Sequence, residues 1–150
     1  MTRINSSINV THLTDEHLLA EHREIKRMVY SYLKRKQMSN GFNNLPEKFT
    51  LGKGHVLFFV DKGMFTFNRY VKLHEECLKR NFIIEDYKDN WLQYESKYFK
   101  DYTPRQEEHE LLIERITERL LGSKKLNWHY YGKSISKQQS VELLNSGIVL

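Results

Sequence analysis

A chain of 150 residues is sized for one domain, and 39% hydrophobic against 29% charged residues allows it a modest core. Cys77 is the only cysteine, which excludes an internal disulfide and a cysteine-based zinc site. A formal charge of +5 suits a phosphate-binding surface, while no apolar run nears a membrane span and no secretory leader is visible, so a cytoplasmic protein without a membrane partner is expected.

In chain order, the first predicted element is one helix from Thr14 to about Lys36, with Asp15 and Glu16 suited to its positive end. At 100° per residue Leu18, Ile25, Val29 and Tyr32 share one face. Glu16, Ala20, Arg23, Arg27 and Lys34 lie opposite, with Glu24 at their edge. After a connection around Gly41 to Pro46, the apolar run from Phe49 to Val60 is too short to predict a helix and reads as a buried extended segment. A second helix is expected over Phe65 to Arg80. Its buried stripe is Phe67, Tyr70, Val71, His74, Cys77 and Leu78, with Cys77 as a small core residue and Asn81 as a left-handed stop. Tyr87 to Thr103 reads as a connection. A third helix is capped by Thr103, with Pro104 in its first turn and Gln106 completing a capping box. His109, Leu112, Ile113, Ile116 and Leu120 form its apolar stripe, Arg115 and Arg119 sit beside that stripe, and Gly122 ends the helix. With no second strong strand, the expected fold is all-α: a compact domain of three main helices with long irregular connections.

Three features carry possible chemistry. Arg23, Arg27 and Lys34 can neutralise successive phosphates, although a solvated helix face is the more ordinary account of such a stripe. Glu24 is a lone acid on that stripe, open to pairing with Arg27 or to acid/base work. Trp128-His129-Tyr130-Tyr131-Gly132-Lys133 suits base stacking and a phosphate contact through Tyr130 and Lys133, or a plug that seals a core. Once Met1 is removed, the free α-amine belongs to Thr2. Its ordinary pKa of about 7.7–8.0 leaves a useful neutral fraction, which Arg3 and Arg23 would increase.

Blocks spread along the chain add a further signal. Met1-Thr2-Arg3-Ile4-Asn5 is followed by His17-Leu18, Ala20-Glu21, Arg23-Glu24 and Arg27. Then come Gly54-His55-Val56, Phe58-Phe59, Asp61-Lys62, Glu76-Cys77-Leu78-Lys79-Arg80 and Tyr130-Tyr131-Gly132-Lys133. In this order, over about 135 residues, they resemble the phage-type pyrimidine-dimer DNA glycosylases, the dimer-specific endonuclease V family.

The resemblance implies residues 1–135 as a glycosylase/lyase domain whose N-terminal arm is held between helices, with 136–150 an extension of unassigned role. It implies a bifunctional DNA-repair enzyme needing no metal or cofactor. The Thr2 amine would attack the sugar of the 5′ nucleotide in a cyclobutane dimer, form an imine, and permit strand cleavage by beta-elimination. Glu24 maps onto the family's essential acid, and Arg3, His17, Arg23 and Arg27 onto phosphate contacts. Arg115 matches a family arginine, and Arg119 stands where relatives carry lysine. The implied partner is double-stranded DNA containing pyrimidine dimers or abasic sites, bound by a monomer at the host nucleoid, with a base expelled from the kinked duplex. His22 departs from the family in replacing an aromatic. The alternatives are a non-catalytic DNA-binding protein on the same scaffold and a lyase with a shifted lesion preference.

Overall fold

Thr14 starts the first helix as its sequence suggests, because its hydroxyl accepts the backbone N–H of His17 at 3.3 Å. The computed structural model describes residues 3–149. Six helices are present among them: α1 (Asp15–Glu24), α2 (Arg27–Lys36), α3 (His55–Phe59), α4 (Gly63–Lys79), α5 (Gln106–Gly122) and α6 (Lys137–Ser146). An antiparallel hairpin, β1 (Asn127–Tyr130) and β2 (Lys133–Ser136), joins α5 to α6 and pairs Trp128 with Ile135. The fold is therefore mostly helical, not all-α, and three main helices undercount it. No helix is long and apolar enough to cross a membrane among the described residues.

The predicted first helix is two helices. At Ile25 and Lys26 the ladder is interrupted, and the N–H groups of Met28 and Val29 bond three residues back at 3.0 Å each. A straight helix over the whole span would be about 34 Å long. The break gives the halves different neighbours: α1 packs on α4 and β1, whereas α2 packs on α3 and the 3-10 turn Lys88–Gln93. Ile25, Met28, Val29 and Tyr32 are all fully buried as a result.

The stretch read as extended holds a short helix instead. Gly54 sits at φ +102°, a left-handed conformation suited to glycine, and turns the chain into α3. His55, Phe58 and Phe59 are buried from there. Five residues are too few to show a helical period.

Helix α4 ends as expected, with Asn81 at φ +65°. Its buried stripe lies roughly a third of a turn from the predicted one. Thr66, Arg69, Tyr70, Leu73, Glu76 and Cys77 face inward, while Leu78 is 53% exposed. Charged residues occupy that face because they are paired there: Arg80 bonds Glu76 at 2.9 Å and Asp15 at 3.0 Å. In α5 the stripe Leu112, Ile116 and Leu120 is buried, and Gly122 is the last helical residue. The cap falls two residues later than expected. Glu108 accepts the Arg105 N–H at 3.2 Å and is itself held by the Tyr102 hydroxyl, so Gln106 is the first helical residue instead of the capping partner.

The hairpin turns at Tyr131 and Gly132, with φ +53° and +77°, the paired positive values of a tight two-residue turn. Both turn N–H groups donate to the Asp15 carboxylate, at 3.0 and 2.8 Å. The extension beyond the hairpin is not loose. Ser136 caps α6, which packs on α5, and Leu143 and Leu144 enter the same core.

Candidate active site at the N-terminal arm

Chain termini ordinarily bind loosely unless something ties them down. Here Ile4 and Ile8 are core residues, and Asn5 and Ser6 are buried with them. Side chains from several elements fasten this arm. The Ile4 N–H donates to His55 Nε2 at 3.0 Å, and the Arg3 guanidinium donates to the Leu51 carbonyl. Asn5 donates to Glu21 at 2.9 Å, while Ser7 Oγ lies 2.8 Å from His109 Nδ1. Glu21 also receives a bidentate Arg69 at 2.7 and 3.0 Å, and Arg69 reaches the Ile8 carbonyl as well. A buried ion pair thus locks α1 to α4 and seats the arm upon itself.

One face of α1 looks toward this arm. Asn5 reaches Glu21 there, and at 100° per residue His17, Ala20, Glu21 and Glu24 point the same way. From α5, the charges of Arg115 and Arg119 act on His17, and those of Arg3 and Arg119 act on Arg115. Burial and these two cations push the His17 imidazole down to about 4, so it is neutral at physiological pH. Burial, Arg119 and Arg3 likewise lower Arg115 to about 10. Its Nε and Nη1 are buried without a hydrogen-bond partner among the described residues. A half-buried guanidinium with two unpartnered N–H nitrogens among the described residues, beside two further cations, is suited to donate to an anion.

The predicted site residues divide into groups. Arg3, His17, Arg115 and Arg119 come together electrostatically at the arm. Glu24 is the last residue of α1 and Arg27 the first of α2, so their ion pair at 3.5 Å spans the helix break. Arg23 is exposed in the last turn of α1, and Lys34 is exposed in the last turn of α2. Tyr130 and Lys133 flank the hairpin turn beside Asp15, at the opposite end of α1 from Glu24, about 13 Å along the axis. The Tyr130 hydroxyl donates to the Thr11 carbonyl at 2.9 Å, its ring lies 4.7 Å from the Arg80 guanidinium, and Lys133 is exposed. Trp128, predicted within the same aromatic stretch, stacks on His17 at 5.1 Å between ring centroids. Thr2 lies outside the described residues.

Three residues that shape this site escaped sequence reasoning: Glu21, Arg69 and His55. Glu21 had a visible signal, because its spacing from Leu18 and Ile25 places it on the buried face of the helix, where an acid requires a partner. Arg69 had none, and His55 stood in a family block with nothing to show its partner, since their partners lie 48 and 51 residues away.

His22, the departure noted in the sequence, is buried, stacked on His74 and in tilted contact with Tyr70 and Tyr87. Its Nε2 lies 3.0 Å from His74 Nδ1, and burial and His74 lower it to about 4.

A family model described as pyrimidine dimer DNA glycosylase matches residues 1–90, more than half of the chain. That stretch contains the arm and helices α1 to α4, while Arg115, Arg119 and the hairpin lie beyond it. The chain belongs to the pyrimidine dimer DNA glycosylase family, whose members act on DNA containing such dimers.

Proposed function

We propose that this protein cleaves the glycosidic bond of the 5′ pyrimidine in a UV-induced cyclobutane dimer through the α-amine of Thr2 and then nicks the strand as a lyase. The amine nitrogen bonds to the sugar C1′ as the C1′–N glycosidic bond breaks, and the departing base takes up a proton. Opening of the sugar ring, with protonation of its oxygen, converts the adduct into an iminium. Loss of a C2′ proton then expels the 3′ phosphate, leaving an unsaturated sugar that hydrolysis of the imine releases. The carboxylate of Glu24 stabilises positive charge on the sugar and moves the protons. Arg3, His17, Arg23, Arg27, Lys34, Arg115 and Arg119 face the phosphates, and Tyr130 and Lys133 extend the DNA contact. Abasic sites enter the same sequence after its first bond cleavage. The protein acts as a monomer on double-stranded DNA in the cytoplasm, at the nucleoid.

The observation that carries this reading is the burial of Ile4, Asn5, Ser6 and Ile8, fastened beside a cluster of cations in which two Arg115 nitrogens have no hydrogen-bond partner among the described residues. A terminus held this firmly next to an anion-seeking arginine suits an amine that must meet one sugar in a phosphate chain. Nearby cations also lower the pKa of an α-amine and increase its neutral fraction.

The test is borohydride trapping on a duplex carrying one cyclobutane dimer. Wild type should give an adduct mapped to the Thr2 amine, and Glu24→Gln should give little or none. Retention of Met1 should abolish cleavage while preserving DNA binding. Full activity with a blocked terminus would overturn the mechanism. Tight binding with neither adduct nor cleavage would favour a non-catalytic DNA-binding protein, and trapping on an abasic duplex alone would favour a lyase of shifted preference.

A further inference from the structure

We infer that His55 is a positioning residue for the N-terminal nucleophile: its neutral imidazole links the arm's Ile4 N–H to the Thr50 carbonyl and so holds the amine's approach. This rests on the Thr2 reading above. The chemistry of the two partners leaves one protonation state. The Thr50 carbonyl can only accept, so Nδ1, 2.8 Å away, carries the proton. The Ile4 N–H can only donate, so Nε2 at 3.0 Å presents its lone pair. An imidazolium would set N–H against N–H and break the link to the arm.

The surroundings hold the ring in that state and orientation. His55 is 1% exposed. Phe49 and Phe59 present edge-on contacts with centroids at 5.4 and 5.3 Å. Burial pushes the imidazole down to about 4, and Arg115 and Arg3 push the same way against the Thr50 bond and Glu21. Gly54, at φ +102°, aims His55 from the first position of α3. Arg3 donates to the Leu51 carbonyl in the same segment, so residues 50 to 55 form a bracket with two attachments to the arm. Two residues of chain reach at most about 7 Å, so fixing the Ile4 N–H bounds where an amine two residues upstream can stand. His55 itself needs no contact with substrate. Its contribution is to limit the arm's freedom before the reaction.

The test uses the full chain lacking Met1 and two variants. His55→Phe keeps a ring and removes both hydrogen bonds, whereas His55→Gln restores an acceptor near the Nε2 position. Two readouts are needed: amide exchange at Ile4, and single-turnover borohydride trapping on an abasic-site duplex, with the duplex Kd measured alongside. In His55→Phe, Ile4 exchange should accelerate and the trapping rate should fall at least tenfold, with Kd changed less than threefold. His55→Gln should recover most of the rate, and it keeps the test decisive where His55→Phe does not fold. Faster Ile4 exchange with wild-type trapping on Thr2 would overturn the positioning role alone. A parallel loss of affinity and trapping would reduce His55 to a structural residue and also overturn it. A wild-type adduct mapped away from Thr2 would overturn the nucleophile assignment and this inference together.

Discussion

Arg115 and Glu24 are two side chains of the proposed DNA site that the fold should tolerate losing. Two buried nitrogens of Arg115 have no hydrogen-bond partner among the described residues and feel the charge of Arg119, an arrangement that costs stability. Arg115→Met fills similar space without charge. It should leave stability unchanged or raise it by about 1 kcal/mol, while weakening DNA binding; urea denaturation and a binding titration check the two effects. Glu24 is partly exposed and pairs with an exposed Arg27, a contact worth about 1 kcal/mol or less. Glu24→Gln should therefore unfold with wild-type midpoint while losing cleavage. A large stability loss in that variant would mean the carboxylate mainly holds the two helices.

Between elements, the Glu21–Arg69 pair is a buried tie joining α1 to α4, with side chains 1% and 6% exposed. Removing one partner strands the other as a buried charge, so Glu21→Ala or Arg69→Ala should each cost about 3–5 kcal/mol in urea denaturation. Glu21 also holds Asn5, and Arg69 holds Ile8, so both variants should loosen the arm as well as the helix pair. The same logic organises the hairpin. Asp15 joins the start of α1 to Arg80 and to both turn amides, which keeps Tyr131 in a left-handed conformation unusual for a bulky residue.

Across the whole molecule, pH and chain length act on the same core. His17, His22 and His55 are each held near 4 against an ordinary 6.5, chiefly by burial. Between those values the unfolded chain binds protons that the folded chain refuses. Stability present above about pH 6.5 is thus lost as pH falls toward 4, by up to about 1.4 kcal/mol per pH unit for each histidine. Thermal unfolding from pH 7.5 to 4 should show that fall, and His22→Phe should reduce its slope. Helix α6 contributes Leu143, fully buried, to the common core. Leu143→Ala should cost about 2–5 kcal/mol, and truncation after Ser136 should destabilise the chain by more. On the DNA side, Arg27→Ala should lower the slope of log affinity against log salt by about one. An unchanged slope would remove Arg27 from the phosphate contacts.

Local chemistry alone determined several features correctly. Thr14, Asn81 and Gly122 mark real helix ends, because capping and left-handed stops act over a few residues. The apolar stripe of α5 was readable for the same reason: helical periodicity is a local property. The ordered blocks from the N-terminal arm through α4 were enough to indicate the family. What remained hidden depends on partners distant in the chain. The α1–α2 break follows from two halves packing on different neighbours, and the inward face of α4 from charges on α1 that neutralise its own. The hairpin needs Asp15, more than a hundred residues upstream, to hold its turn. The bracket at His55 was likewise decided only in three dimensions. Its sequence block was plain, but no spacing reveals that a histidine at position 55 accepts the amide of residue 4.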